Sequence, residues 1–152
     1  MLTLSFIASA LVCALALISL GGGLYEYRVV DPAWIHRPEI IQPDRGGLSR
    51  RRFWIPAHIL FELALLSTLA IVWGEPSIRN WLLVALISHG AMRIWSAFDF
   101  IPKALAFERV NTQEFAEGAA RSWTRRSLMR LPLDLVTCGA TMLALAAAAQ
   151  GT

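Results

Sequence analysis

The sequence predicts an all-α fold, a bundle of four transmembrane helices, from three observations. Of its 152 residues, 56% are hydrophobic and 16% are charged, and its mean hydropathy is +0.52, which is too apolar for a soluble domain of this size. Four apolar stretches, at approximately 2–24, 53–73, 81–101 and 131–149, are each close to the roughly 20 residues that a helix needs to cross a bilayer. None shows the alternation of a barrel strand, so helices are expected to pair the backbone polar groups. We interpret residues 1–152 as a single integral membrane domain.

The first stretch has a second interpretation, a secretory signal, because its apolar run ends in small residues. No Lys or Arg precedes it, however, and the run is longer than the apolar core of a typical signal, so we expect a retained span. Cys13 and Cys138 fall inside spans, where small core residues are expected rather than a disulfide.

Basic residues predict the orientation. The segment 25–52 carries six arginines, and the segment 102–130 carries five arginines and Lys103, whereas the short link between the second and third spans has only Arg79. The positive-inside rule then places both long segments in the cytoplasm and both termini outside it, in a multi-pass protein of the cell inner membrane. The net charge of +3 is explained by this topology and by contact with anionic membrane lipids, so no nucleic-acid partner is expected.

The first cytoplasmic segment is predicted to be extended and irregular. It contains Pro32, Pro38 and Pro43, followed by a Gly46-Gly47 turn, and these residues disfavour a regular helix. A segment of this kind could fold back over the bundle as a lid.

The second cytoplasmic segment is predicted to contain an amphipathic helix that lies on the membrane surface. Asn111 followed by Glu114 resembles a capping box at its start. Phe115, Ala119 and Trp123 recur at four-residue spacing, which is typical of one apolar helix face. Arginines 121, 125 and 126 are available for lipid headgroups. A solvated, charge-rich linker is the alternative.

Ionisable side chains lie deep inside two of the spans, where a charge is costly. They are His58 and Glu62 in the second span, and His89 and Arg93 in the third. With the cytoplasmic ends near residues 53 and 100, and about 1.5 Å per residue, His58 lies roughly 7 Å deep, Arg93 roughly 10 Å, Glu62 roughly 13 Å and His89 roughly 16 Å. The two members of each pair are four residues apart and share a helix face. We predict that these four residues form one polar layer and carry any catalysis.

Further polar and aromatic residues are expected around this layer, at the cytoplasmic side of the bundle. Ser96 and Asp99 continue the polar face of the third span, Glu26 follows the first span, and Arg130 and Asp134 begin the fourth. Tyr25, Trp54 and Trp95 supply apolar walls, although aromatic residues at span ends often serve as interfacial belts. The predicted substrate-binding residues are therefore Tyr25, Glu26, Trp54, Trp95, Ser96, Asp99, Arg130 and Asp134.

The polar layer has a purely structural interpretation as well. An ion pair between Arg93 and Glu62, with the histidines hydrogen-bonded nearby, would offset the cost of burial and fix the helix register without any ligand.

Metal and haem sites are less favoured. His58, Glu62 and His89 are suitable ligand types, but their spacing differs from the Glu-x-x-His pattern of di-iron bundles, and Arg93 would repel a cation. Bis-histidine haem requires two rings at matching depth, whereas His58 and His89 differ by roughly 9 Å in this estimate. We predict no metal site, and no sequence motif identifies a cofactor.

Several single residues carry a resemblance to a known family. They are Gly23-Leu24-Tyr25 with Pro32-Ala33 seven positions later, Trp95 before Pro102, and Trp123 before Arg130. In these positions the chain resembles the small four-helix membrane proteins that include fungal anthrone oxygenases, a family largely of unknown function. The resemblance implies a four-helix bundle and oxygen-dependent oxidation of a flat, phenolic polycycle without a recognised cofactor motif.

The sequence thus predicts a cytoplasm-facing polar pocket for a lipophilic, aromatic small molecule, in an oxidoreductase or isomerase. A buried histidine could act as general base on a phenol or acidic carbon, and an arginine could hold the resulting anion. The alternative is a non-catalytic subunit of a membrane complex or a small transporter element. Whether the chain is an enzyme, and whether it forms a homo-oligomer, stays open at this point.

The predicted topology can be tested by cysteine-accessibility labelling. Single cysteines at Ser49 and Thr112 should be labelled only from the cytoplasm, and those at Ser77 and Thr152 only from outside, because the arginine-rich segments are retained inside. Labelling of Ser49 from outside intact cells would contradict this orientation.

Overall fold

The fold, described by a computed structural model over residues 3–151, is a bundle of four long helices. No strand occurs among those residues. All four helices are long and apolar enough to cross a membrane, which confirms the predicted spans and indicates a multi-pass membrane protein. The helices are α1 (Leu4–Trp34), α2 (Arg51–Ile71), α3 (Pro76–Arg109) and α4 (Glu117–Gln150). The predicted start of the first span at residue 2 and the labelling site Thr152 lie outside the described residues.

Three of the helices are interrupted by an irregular turn near the same end of the bundle. Helix α1 has a π-helical turn at Glu26–Val30, and α3 has one at Ser96–Phe100. Helix α4 has a 3-10 turn at Leu128–Arg130, between Glu117–Ser127 and Leu131–Gln150.

A proline explains the position of each irregular turn. Pro32, Pro102 and Pro132 are each the second residue of the regular segment that follows the turn. A proline has no N–H for the preceding turn, and its ring collides with the carbonyl four residues earlier, so the helix there must widen or tighten. The chain nevertheless stays helical through all three turns.

Helix α4 lies between α1 and α3 and packs along both, while α2 packs mainly on α1. Of the helix pairs that pack against each other, α2 and α3 make the fewest contacts, although only a short turn after Val72 joins them. The core between the helices is apolar and includes Val12, Phe61, Leu65, Leu82 and Ala144. The weak contact between α2 and α3 leaves space at one end of the bundle.

The proline-containing ends of α1, α3 and α4 enclose a second, aromatic core. A helix of 34 residues, the length of α3, measures about 51 Å and exceeds the roughly 30 Å of a hydrocarbon layer. Trp34 is fully buried there, with ring centroids 5.3 Å from Phe107, 5.9 Å from Phe115 and 6.0 Å from Trp123. These contacts join the three helix ends into one layer.

Residues 35–50, between α1 and α2, fold back onto the end of α3. They form short 3-10 turns at Pro38–Ile41 and Pro43–Arg45. The buried Gln42 amide donates to the carbonyls of Phe107, at 3.1 Å, and Val110, at 2.9 Å. Since the last carbonyls of a helix have no partner within it, Gln42 caps α3.

Two predictions about the segments 25–52 and 102–130 are wrong in part. The segment 25–52 is not irregular throughout, because residues 26–34 continue α1 as a helix. The capping box at Asn111 does not form, because Thr112–Glu114 is a separate 3-10 turn and the helix begins at Glu117. The Asn111 side chain instead accepts a hydrogen bond from Arg45 Nη2 at 2.9 Å.

The helical segment Glu117–Ser127 has one buried face. Ala120, Trp123 and Thr124 are buried, whereas Arg121 and Arg125 are exposed. Ala119, which the four-residue spacing had placed on the apolar face, is exposed. The register of this face is therefore set by contact with the aromatic core.

The Gly46-Gly47 turn was predicted and is present, and it offers a stability test. Gly46 has φ +84°, and a Cβ on Gly47 would lie 2.8 Å from both Gln42 N and Ile40 O. Gly47→Ala should therefore lower the free energy of unfolding by about 1–3 kcal/mol through displaced backbone. Gly90→Ala is the matched control, because nothing lies within 4 Å of a Cβ there. Equal melting temperatures of the two variants in detergent would contradict the tight turn.

Candidate functional site

A cavity of about 450 Å³ opens among all four helices, at the level of the irregular turns. This volume lies within the range of roughly 300–1,000 Å³ that small-molecule pockets occupy. Its walls include the apolar residues Leu20, Leu24, Ile55, Phe61, Met92 and Phe100. Its charged and imidazole side chains are Glu26, Asp31, Arg50, Arg51, His58, His89, Arg93, Glu108, Arg130 and Asp134. The cavity is therefore amphipathic.

One carboxylate links α2 to α3 at the inner end of the cavity, which is the end nearer the middle of the bundle. Glu62 Oε1 accepts a hydrogen bond from Arg93 Nε at 2.9 Å and lies 3.2 Å from His89 Nε2. The predicted ion pair is thus present. The Glu62 and Arg93 side chains are 38% and 35% exposed, whereas His89 is buried. Because α2 and α3 touch little elsewhere, this cluster is their main polar connection inside the membrane-spanning part.

His58 lies beside this cluster but is not part of its hydrogen bonds. Its ring stacks on Trp54, with centroids 5.4 Å apart and an interplanar angle of 21°, and lies 5.6 Å from the His89 ring. His58 Nδ1 is buried and has no hydrogen-bond partner in the described chain. The depth difference of roughly 9 Å predicted for the two histidines overstated their separation, since it took both helices as upright and equally placed.

Ion pairs link the helices at the outer end of the cavity, which lies at the start of α2 and the end of α3. Glu26 accepts from Arg50 at 3.3 Å and from Trp54 Nε1 at 2.9 Å, joining α1 to the start of α2. The buried Glu108 on α3 lies 3.3 Å from Arg51 and 3.8 Å from Arg50. These contacts hold α2 to both neighbours at this level.

Arg130 differs from the other cavity arginines in its partners. It donates to the hydroxyls of Ser96, at 2.8 Å, and Ser127, at 2.6 Å, and its guanidinium lies 4.3 Å from the centroid of the Phe100 ring. Within residues 3–151 no carboxylate oxygen lies within 4.0 Å of it. Asp134, one turn further along α4, also lines the cavity without an ion-pair partner in that part of the chain.

Four predicted site residues do not line the cavity. Tyr25 is 60% exposed on the outside of α1, and Trp95 packs on Phe100 at 5.5 Å. Asp99 is paired with Lys103 and with Arg126, the latter at 3.1 Å. Glu62 contacts the lining residues His89 and Arg93 but does not itself line the cavity. The other eight predicted site residues line the cavity: Glu26, Trp54, His58, His89, Arg93, Ser96, Arg130 and Asp134.

Sequence reasoning missed several lining residues, namely Asp31, Arg50, Arg51 and Glu108. Arg50 and Arg51 counted only towards topology, and Asp31 and Glu108 belonged to segments that were expected to lie outside the bundle. The prolines at 32, 102 and 132 were the available signal, since they mark where helices are distorted near one level.

Comparison with known proteins adds no family to this description. No protein-family model, curated protein or solved structure matches the chain. Among the described residues, no group of three or more His, Cys, Asp or Glu side chains is placed to hold a metal ion. Any function must therefore be argued from the cavity.

The Glu62 ion pair can be tested by a double-mutant cycle. Glu62→Ala should lower the free energy of unfolding by about 3–5 kcal/mol, because Arg93 and His89 lose their acceptor in a region that excludes water. The double variant Glu62→Leu with Arg93→Leu should recover much of this loss, as measured by unfolding in detergent. Additive effects of the single changes would show that the two residues are not energetic partners.

Proposed function

We propose that the protein binds a lipophilic, flat aromatic molecule with an acidic hydroxyl or carbon in this cavity, and that it transfers a proton there. The observation that carries the proposal is the location of buried polar atoms without a hydrogen-bond partner, one of which, Arg50 Nη2, has only the 3.8 Å ion pair with Glu108. Four buried side-chain polar atoms among the described residues lack a hydrogen-bond partner, and three of them belong to cavity-lining residues: Ser19 Oγ, Arg50 Nη2 and His58 Nδ1. Buried polar atoms of native proteins are rarely unpaired, so a cluster of them favours a ligand.

Arg130 is the proposed anion-binding residue. Its two serine partners are neutral, so the guanidinium is held in place without a directly bound carboxylate. A phenolate or enolate oxygen could replace or add to these hydroxyl contacts, and hydrogen bonds that involve a charged group are the stronger ones. The apolar walls around Leu20, Ile55 and Met92 would accommodate the rings of the ligand.

His58 is the proposed general base. Glu62 already binds His89 and Arg93, which leaves His58 as the cavity imidazole without a hydrogen bond in the described chain. It would take a proton from the ligand while Arg130 stabilises the anion, and returning that proton to a different atom completes an isomerisation. An oxidation would also need an electron acceptor, and dioxygen is the one that the anthrone-oxygenase resemblance implies.

The proposed location is the cell inner membrane, with both termini outside the cytoplasm and the cavity facing inward. The irregular turns lie at the arginine-rich end of the bundle, which the positive-inside rule assigns to the cytoplasm. In this orientation, the exposed Arg121 and Arg125 of residues 117–127 would contact anionic headgroups as part of an amphipathic surface helix.

A specific observation favours the alternative, a subunit of a membrane complex or a homo-oligomer. Glu62 and Arg93 keep about a third of their side-chain surface exposed, and Glu62 is not among the residues that line the cavity. A partner helix could complete their hydrogen bonds, since polar groups in lipid gain from contact between helices.

The ligand-binding function can be distinguished from the subunit function by measuring which compounds matched variants retain. Purified wild type, His58→Ala and Arg130→Ala would be incubated with membrane extract, and the retained lipophiles identified by mass spectrometry. Arg130→Ala should reduce retention about 10- to 100-fold, because a hydrogen bond to a charged group contributes roughly 1.5–3 kcal/mol. His58→Ala should change the melting temperature little, since it breaks no hydrogen bond and loses only the ring contacts with Trp54 and His89, but it should abolish conversion of the retained compounds.

The exposed residues His36 and Arg121 provide controls of the same type, because they contact Glu117 outside this cavity. His36→Ala and Arg121→Ala should retain the same compounds as the wild type. Identical sets of compounds from all five proteins would contradict a ligand site in the cavity and favour the alternative function as a subunit of a membrane complex.

A further inference from the structure

We infer that the ligand reaches the cavity from the bilayer, through a lateral window between α2 and α3. This inference rests on the proposed function and adds to it the route that the ligand takes. A lipophilic molecule is concentrated in the hydrocarbon of the bilayer. Through an opening in the side of the bundle it could enter the cavity directly from the bilayer without first crossing water.

The window is framed by two polar connections between the helices. At the outer end, Arg51 pairs with Glu108 at 3.3 Å. At the inner end, Glu62 pairs with Arg93 at 2.9 Å, next to the contact between His58 and His89. Along α2 the distance from Arg51 to His58 corresponds to about 10 Å.

Between these two connections, no polar or aromatic contact joins the described parts of the two helices. In the described chain, no hydrogen bond, ion pair or ring contact links residues 52–57 of α2 to residues 94–107 of α3. Helices α2 and α3 also make the fewest backbone contacts of the neighbouring helix pairs. The gap is therefore a consequence of how the bundle packs, with α4 between α1 and α3.

The sides of the gap are apolar and belong to both the cavity and the outer surface. Ile55 lines the cavity and is 54% exposed, and Ile101 lines the cavity and is 43% exposed. Leu105 also lines the cavity from α3 and is half-buried. A residue that contacts both the cavity and the outside lies at an opening, and aliphatic side chains there suit a passage from lipid. Ile55 lies about 6 Å inward from Arg51, so in the proposed orientation the window lies at the boundary between the headgroups and the hydrocarbon.

The test measures binding rates with the full chain in phosphatidylcholine nanodiscs. The probe is 1-hydroxyanthraquinone, a flat phenol that partitions into the bilayer, and binding is followed by quenching of tryptophan fluorescence. Ile55→Phe with Ile101→Phe should narrow the window and slow association and dissociation alike, each by about tenfold or more, whereas a change in pocket contacts alone would act mainly on dissociation. Ile55→Ala with Ile101→Ala should speed both rates.

The matched control is Ile59→Phe with Ile94→Phe on the same two helices. These isoleucines are 49% and 63% exposed but do not line the cavity, so wild-type rates are expected. Unchanged rates in the narrowed variant, or equal slowing in the control, would overturn the window while the proposed function stands. Failure of the wild type to bind the probe at all would overturn the proposed function, and the window with it.

Discussion

The architecture depends on one constraint, which is that a charged side chain inside a membrane span needs a partner from the protein. Glu62 meets this constraint by accepting from both Arg93 and His89. Its carboxylate connects two neighbouring helices that otherwise touch little. The ion pair therefore fixes the position of α2 against α3 at one end of the space between them, and the pair of Arg51 with Glu108 holds the other end.

Prolines determine where that space has polar walls. Glu26 and Ser96 are the first residues of the two π-helical turns, and Arg130 is the last residue of the 3-10 turn. Such turns rotate the side chains that follow relative to a regular helix, so groups from three helices converge at one level. Such turns are often found at functional sites. Here they carry Arg130, which among the described arginines of the cavity is the one without a carboxylate oxygen within 4.0 Å.

The spans could be predicted because hydropathy and length are local properties of the sequence. The polar layer could be predicted in part for the same reason, since His58, Glu62, His89 and Arg93 stand out against apolar neighbours. The distance between the two histidines was harder to predict. The rings of His58 and His89 lie 5.6 Å apart, closer than depth counting allowed, because helix tilt and offset are not encoded in spacing along one helix.

The sequence by itself determined the class of the protein, the four spans and the arginine-rich end of the bundle, because transfer of side chains into lipid depends mainly on residue type. Only the tertiary structure decided that Arg130 binds serines rather than a carboxylate, that Glu108 belongs to the cavity, and that residues 26–34 remain helical. Each of these outcomes depends on which helices are neighbours. That arrangement follows from packing and from long-range hydrogen bonds, such as those of Gln42 to the end of α3, which no local pattern specifies.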